Sequence, residues 1–162
     1  MKRRTIIMLT GMTLLGLAFA ASSRVALAQS DPLDGVWQMN LAKSKLTGPL
    51  AGTKSLTLYL RGEGQNRRDT AVGIDAQGNP RSAVFIHIYD GQPHPTDGTD
   101  YDASSYTRVD AHNINYSRTK AGKLVETGTL VVSQDGKTLT NTAKITDASG
   151  REYNNVLVYD KL

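Results

Sequence analysis

The sequence predicts an all-β fold, an antiparallel up-and-down β-barrel of about 8–10 strands, and three observations carry that prediction. From Pro32 onward, short runs rich in Val, Ile, Leu, Thr and Tyr alternate with turn residues at the spacing of a β-meander. The turns 75–79, 134–137 and 147–150 each place Gly where a positive φ is needed and Asp where its carboxylate bonds its own backbone. No stretch keeps a 3.6-residue apolar period, and no connection is long enough for the crossover that parallel neighbours require. A sequential antiparallel sheet of this size either closes as a barrel or folds over as a β-sandwich, which is the alternative.

In chain order the predicted strands are 35–41, 54–61, 69–75, 81–89, 104–110, 113–119, 123–133, 138–146 and 153–161, with a very short tenth at 92–96. Alternation assigns faces. Leu56, Leu58 and Leu60 share one side of their strand, against Thr57, Tyr59 and Arg61. Leu139, Asn141, Ala143 and Ile145 oppose a polar side of Thr138, Thr140, Thr142, Lys144 and Thr146, so that strand meets water on one face. Strand 81–89 has two faces apolar enough to bury. Either Phe85, His87 and Tyr89 line a lumen while Val84, Ile86 and Ile88 form a surface for self-association, or the strand is packed on both sides. Arg67-Arg68 beside Asp69 reads as a solvated strand end.

The first residues predict export. Lys2, Arg3 and Arg4 precede an uncharged apolar run over 5–21, and Ala26-Leu27-Ala28 fits the small-x-small rule for signal peptidase. The expected organisation is a signal peptide at 1–28 and one β-barrel domain at 29–162, periplasmic or secreted, with an uncleaved membrane anchor as the alternative. Arg3-Arg4 leaves general secretion and twin-arginine export both open. With 0 cysteines the chain offers no lipoprotein acylation site and no disulfide. Residues 1–28 hold four of the 19 basic residues and none of the 15 acidic ones. The rest is therefore balanced, and the formal charge of +4 supports neither a nucleic-acid nor an anionic-membrane partner; once the signal is cleaved, no membrane span is expected.

Leu33-Asp34-Gly35-Val36-Trp37-Gln38-Met39-Asn40, followed by Ser44, contains the G-x-W that opens the first strand of lipocalins, and it also looks like the first strand of fatty-acid-binding proteins. Val156-Leu157-Val158-Tyr159-Asp160-Lys161 resembles their closing strand, and the hairpin with Asp135-Gly136-Lys137 the one before it. Together these make the chain similar to bacterial lipocalin-like proteins of the calycin superfamily. That resemblance implies barrel closure at Gly35 and Trp37, with Trp37 beside Met39 and Leu41 plugging one end and Lys161 or Arg151 stacked on its ring. It also shows departures. The R-x-Y pair that holds a carboxylate in fatty-acid-binding proteins falls on Leu157 and Tyr159, so that mechanism carries over only if Arg108 or Arg118 reaches the lumen. Residues 42–53 are too short, with Gly48, Pro49 and Gly52, for a helix-turn-helix lid.

His87, His94 and His112 show no metal-ligand spacing, and the sequence has no nucleophile elbow and no phosphate loop, so no metal, cofactor or catalytic residue is expected. Asp97, Asp100, Tyr101 and Asp102 read as a solvated acidic loop. The candidate ligand-binding residues are Phe85, His87, Tyr106, Arg108, Tyr116, Arg118, Asn141 and Tyr159. Tyr106 and Arg108 share a face, as do Tyr116 and Arg118; the same parity also suits an outer face of cross-strand pairs. The expected function is binding of a small lipophilic or amphipathic molecule without catalysis. The alternatives are a barrel enzyme using His87 or a Tyr/Arg pair for proton transfer, and an envelope interaction protein.

Overall fold

The computed structural model describes residues 31–63 and 66–162, so the expectations for the signal peptide and its cleavage lie outside the described residues. The strands are β1 (Gly35–Met39), β2 (Ser55–Leu60), β3 (Gly62–Glu63), β4 (Asn66–Ile74), β5 (Pro80–Ile88), β6 (His94–Asp97), β7 (Ala103–Arg108), β8 (Asn113–Lys120), β9 (Lys123–Val132), β10 (Thr138–Thr146) and β11 (Glu152–Lys161). Each pairs antiparallel with its neighbours. β2 and β3 hold one register on β4, Ser55 opposite Ile74 and Gly62 opposite Arg67, so they are two halves of one bent arm. At the bend the Arg61 N–H donates to Asp69 Oδ1 at 3.1 Å.

Closure comes from the two ends of the described chain. β1 pairs with β11, Trp37 opposite Lys161 and Met39 opposite Tyr159, and with β2 on its other side. The result is a closed ten-walled barrel, not a sandwich, in which the short β6 bridges β5 and β7 over two residue pairs on each side. All ten predicted runs fall on strands. Four differ by two residues or more at one end: β6 starts at His94 and β7 stops at Arg108, each two residues short of its predicted bound, and β1 and β4 differ for identifiable reasons. β1 stops at Met39 because the Asn40 N–H bonds Val158 O and the chain then turns, which leaves Leu41 exposed and off the Trp37 face. β4 starts at Asn66, three residues before its predicted start, because Arg67 enters the barrel.

The registers carry one inward set round the whole ring. Asp69 faces Phe85, Tyr106 faces Tyr116, Arg118 faces Glu126, and Asn141 faces Leu157. On β5 the inward face carries Phe85 and His87 and the outward face Val84, Ile86 and Ile88, so this strand is not packed on both sides.

One end is plugged. Trp37 is fully buried among Leu33, Leu60, Ile114, Val132, Leu139 and Tyr159, and its Nε1–H donates to Leu33 O at 2.9 Å. Burying each such aliphatic side chain stabilises the fold by roughly 1.5–3 kcal/mol. Of the two cations expected on the indole, Lys161 takes the place, with Nζ 4.9 Å from the ring centre, while Arg151 covers Tyr153. Gly35 is required here. Its φ is 145°, and a Cβ would sit 2.6 Å from Lys161 Cε. Arg67 and Arg108 both bind Asp31, fastening the segment that precedes β1 beneath the plug.

Candidate functional site

Beyond the plug the inward residues enclose a cavity of about 230 Å³. Its apolar wall comes from Leu56 and Leu58 of β2, Phe85 of β5, Leu130 of β9, Ile145 of β10 and Leu157 of β11. A 3₁₀ turn at Gly48–Leu50, begun by Gly48-Pro49, brings Leu50 onto the same wall. Polar groups come from Asp69, His87, Tyr101, Arg118, Glu126 and Asn141.

The first polar cluster is built on the β8–β9 ladder. Arg118 and Glu126 are cross-strand partners, and Arg118 Nη1 lies 2.8 Å from Glu126 Oε1. Two tyrosine hydroxyls donate to the same carboxylate: Tyr116 to Oε1 at 2.8 Å and Tyr101 to Oε2 at 2.5 Å. Tyr116 OH also lies 2.9 Å from Asn141 Oδ1, so its one proton serves one of two acceptors at a time. The Arg118 guanidinium sits in an aromatic cage, 4.6 Å from the centre of Phe85, 4.7 Å from Tyr116 and 5.2 Å from Tyr101. Burial opposes the Arg118 charge, but Glu126 and the surrounding tyrosines outweigh it and hold the pKa well above the usual arginine value. Burial first, and the Glu126 charge after it, push the Tyr101 and Tyr116 hydroxyls up, so both stay protonated donors.

The second cluster joins cavity to plug. His87 stacks on Tyr106, centroids 3.5 Å apart and planes 27° from parallel, and His87 Nδ1 lies 3.0 Å from Asp69 Oδ2. The separation is that of a hydrogen bond, yet neither atom has a well-aligned partner among the described residues. Burial depresses the His87 pKa and Asp69 opposes this only in part, so the imidazole is neutral near pH 7. Arg67 reads from the sequence as a solvated strand end; in the fold it is 2% exposed. Three carboxylates make this tolerable: Asp34 at 2.8 Å, Asp31 at 3.1 Å and Asp69 at 3.7 Å. Burial lowers the Arg67 pKa, but Asp69, Tyr89, Asp31 and Asp34 together raise it further. Tyr89, its hydroxyl pushed by burial up to about 12, carries Arg108 over its ring at 4.3 Å.

Of the eight candidate residues, Phe85, His87, Tyr106, Arg118, Asn141 and Tyr159 line the cavity. Tyr116 is buried beside it through Glu126 and Asn141. Arg108 stands apart, bound to Asp31 and to Ala111 O at the plugged end. Sequence reasoning missed Asp69, Glu126, Tyr101 and Arg67. For two of them parity was a usable signal: Glu126 shares a face with Leu130 and Val132, and Asp69 sits one alternate position from Ala71. Tyr101 had none. The acidic loop is only half solvated, since the side chain of Asp100 is 89% exposed while Tyr101 turns into the cavity. Among the described residues, no three His, Asp or Glu side chains converge as a metal site.

No family model matches the chain, and no curated protein matches its sequence. Solved structures do match. The zebrafish ileal bile acid-binding protein complexed with cholic acid superposes with a TM-score of 0.53 at 12% identity, covering 81% of this chain and 99% of that one. Lobster apocrustacyanin A1 gives a TM-score of 0.45 at 14% identity over 82% of this chain and 62% of that one. The fold is therefore that of the zebrafish neighbour, a closed antiparallel barrel, here of ten strands with a G-x-W plug at one end.

Proposed function

We propose that the chain is an exported binding protein that takes a small amphipathic molecule into the barrel and carries out no chemistry on it. The observation that carries this reading is the partly open cavity, whose wall is mostly apolar with a few convergent polar groups, the usual form of a small-molecule site. The Arg118 Nε and Tyr106 hydroxyl, buried and without aligned partners among the described residues, are groups that a bound molecule would satisfy. Crystallisation of the zebrafish neighbour with cholic acid supports the same reading.

Calorimetry with residues 29–162 against a panel of small lipophilic compounds tests it. Saturable one-to-one binding that is lost in Ala83→Phe, which fills the lumen, is expected. A folded protein that binds nothing, or binding indifferent to Ala83→Phe, overturns it. Export rests on the pattern of residues 1–28 and is tested by cell fractionation and N-terminal sequencing, with Gln29 expected as the first residue of the mature protein.

A second reading, proton transfer by a neutral His87 oriented by Asp69, is favoured by their 3.0 Å contact at the cavity wall. It requires a turnover that disappears in His87→Gln while ligand affinity is kept.

A further inference from the structure

We infer that the ligand is an uncharged, compact ring compound of about nine to thirteen non-hydrogen atoms bearing one hydrogen-bond acceptor, and that the lumen discriminates against carboxylates. This deepens the binding reading above and rests on it.

The charge argument comes from how each inward cation is already engaged. Arg118 lies against Glu126 at 2.8 Å, and Arg67 against Asp34, Asp31 and Asp69. Arg108 is held by Asp31 outside the cavity wall. The acidic and basic side chains that line the cavity are thus Arg118, Glu126 and Asp69, beside a neutral His87. A ligand carboxylate would enter a low-dielectric space already holding two carboxylates and no uncompensated cation among the described residues. It would lose its hydration without gaining a counter-ion.

What remains free are donors on groups whose charge, where they carry one, is already matched. Arg118 and Ser104 lie close to the Tyr106 hydroxyl, yet neither Arg118 Nε nor that hydroxyl has a well-aligned hydrogen-bond partner among the described residues, and Tyr106 is 1% exposed. Both donate, so they fit a ketone, ether or hydroxyl oxygen. Phe85 and Tyr101, already around the guanidinium, offer faces to a flat ring. Size sets the upper bound. A dry protein cavity of about 150 Å³ accommodates benzene, so about 230 Å³ suits one substituted ring or a fused pair. A sixteen-carbon fatty acid or a steroid acid would leave much of its bulk outside that space.

The test uses isosteric pairs that differ only in charge: acetophenone against benzoate, and 2-acetylnaphthalene against 2-naphthoate, titrated calorimetrically at pH 7 with palmitate as a third arm. In the unsubstituted protein the ketones are expected to bind at least about tenfold more tightly than their carboxylates. Glu126→Gln, which keeps the shape and releases the Arg118 charge, is expected to raise carboxylate affinity about tenfold or more and to change ketone affinity much less. Carboxylates binding as well as or better than ketones in the unsubstituted protein, or palmitate alone binding, overturns the inference while the binding reading stands. No binding by any probe overturns both. Should Glu126→Gln fail to fold, the isosteric comparison in the unsubstituted protein decides alone.

Discussion

Gly128 stands opposite Tyr116 across the β8–β9 ladder, and a Cβ on it would lie 2.6 Å from the Tyr116 hydroxyl and 2.4 Å from Thr142 O. The bare backbone at this position is what lets the Tyr116 ring lie flat on the wall and reach Glu126. Neither obstacle yields cheaply, since one is backbone and the other is held by hydrogen bonds to Glu126 and Asn141. Gly128→Ala is expected to destabilise the fold by about 1–3 kcal/mol through overpacking, read from the urea midpoint. An unchanged midpoint would show that Tyr116 moves freely and that the network around Glu126 is not rigid.

Arg118 and Glu126 should be strongly non-additive. Removing one member strands the other charge inside the barrel, so Arg118→Met or Glu126→Leu alone is expected to cost about 3–5 kcal/mol. The double variant keeps an apolar pair of similar volume and should be far less damaged than the two costs combined. A double-mutant cycle by denaturant unfolding measures the coupling; additive losses would mean the pair is not a unit.

Trp37 is the chain's one tryptophan and is fully buried, so it reports on the plug directly. Its emission is expected to be blue-shifted in the native protein and to move to longer wavelength on unfolding. Trp37→Ala empties the space between Leu33, Leu139 and Tyr159 and should cost about 3–5 kcal/mol. Lys161→Met, which loses the contact 4.9 Å above the indole, should cost no more than about 1 kcal/mol, because the ammonium is exposed.

The β content and the faces of the strands were legible because period-2 alternation survives wherever one side of a strand meets water. Leu56, Leu58 and Leu60, or Leu139 through Ile145, announce an inward side without reference to the rest of the chain. Closure was legible only through the family resemblance of the two ends, Gly35-Val36-Trp37 and the strand around Tyr159, since a strand pair separated by the length of the domain leaves no local pattern. Charged lumen residues were read poorly for a physical reason: an Arg or Glu on an apolar face looks solvated until its partners are known. Arg67 becomes tolerable only when Asp31 and Asp34 arrive from the segment before β1 to join Asp69 of its own strand. Glu126 becomes tolerable only when Arg118, Tyr101 and Tyr116 do. A bulge at Arg118/Thr119 adds to the difficulty, because it shifts the β8–β9 register just where Leu124 comes out exposed.

Acid should weaken the protein in two separable stages. His87 is depressed below 6.5 in the folded barrel, chiefly by burial, so as pH falls below 6.5 the unfolded chain takes up a proton that the native ring refuses. Stability from this residue is thus full above pH 6.5 and is lost as pH falls from there through the folded pKa. Hairpin aspartates act lower. Backbone hydrogen bonds hold Asp75 below 3.8, and the Ser149 hydroxyl leads the groups that pull Asp147 down to about 2, so their contributions persist above 3.8 and disappear only as pH drops through those lowered values. Urea midpoints measured from pH 8 to pH 2 should therefore show a first decline beginning near pH 6.5 and a second below pH 4. His87→Gln should flatten the first and leave the second in place. A first decline that survives His87→Gln would assign it to another group and would mean that the ring facing Asp69 takes up its proton as readily in the barrel as in water.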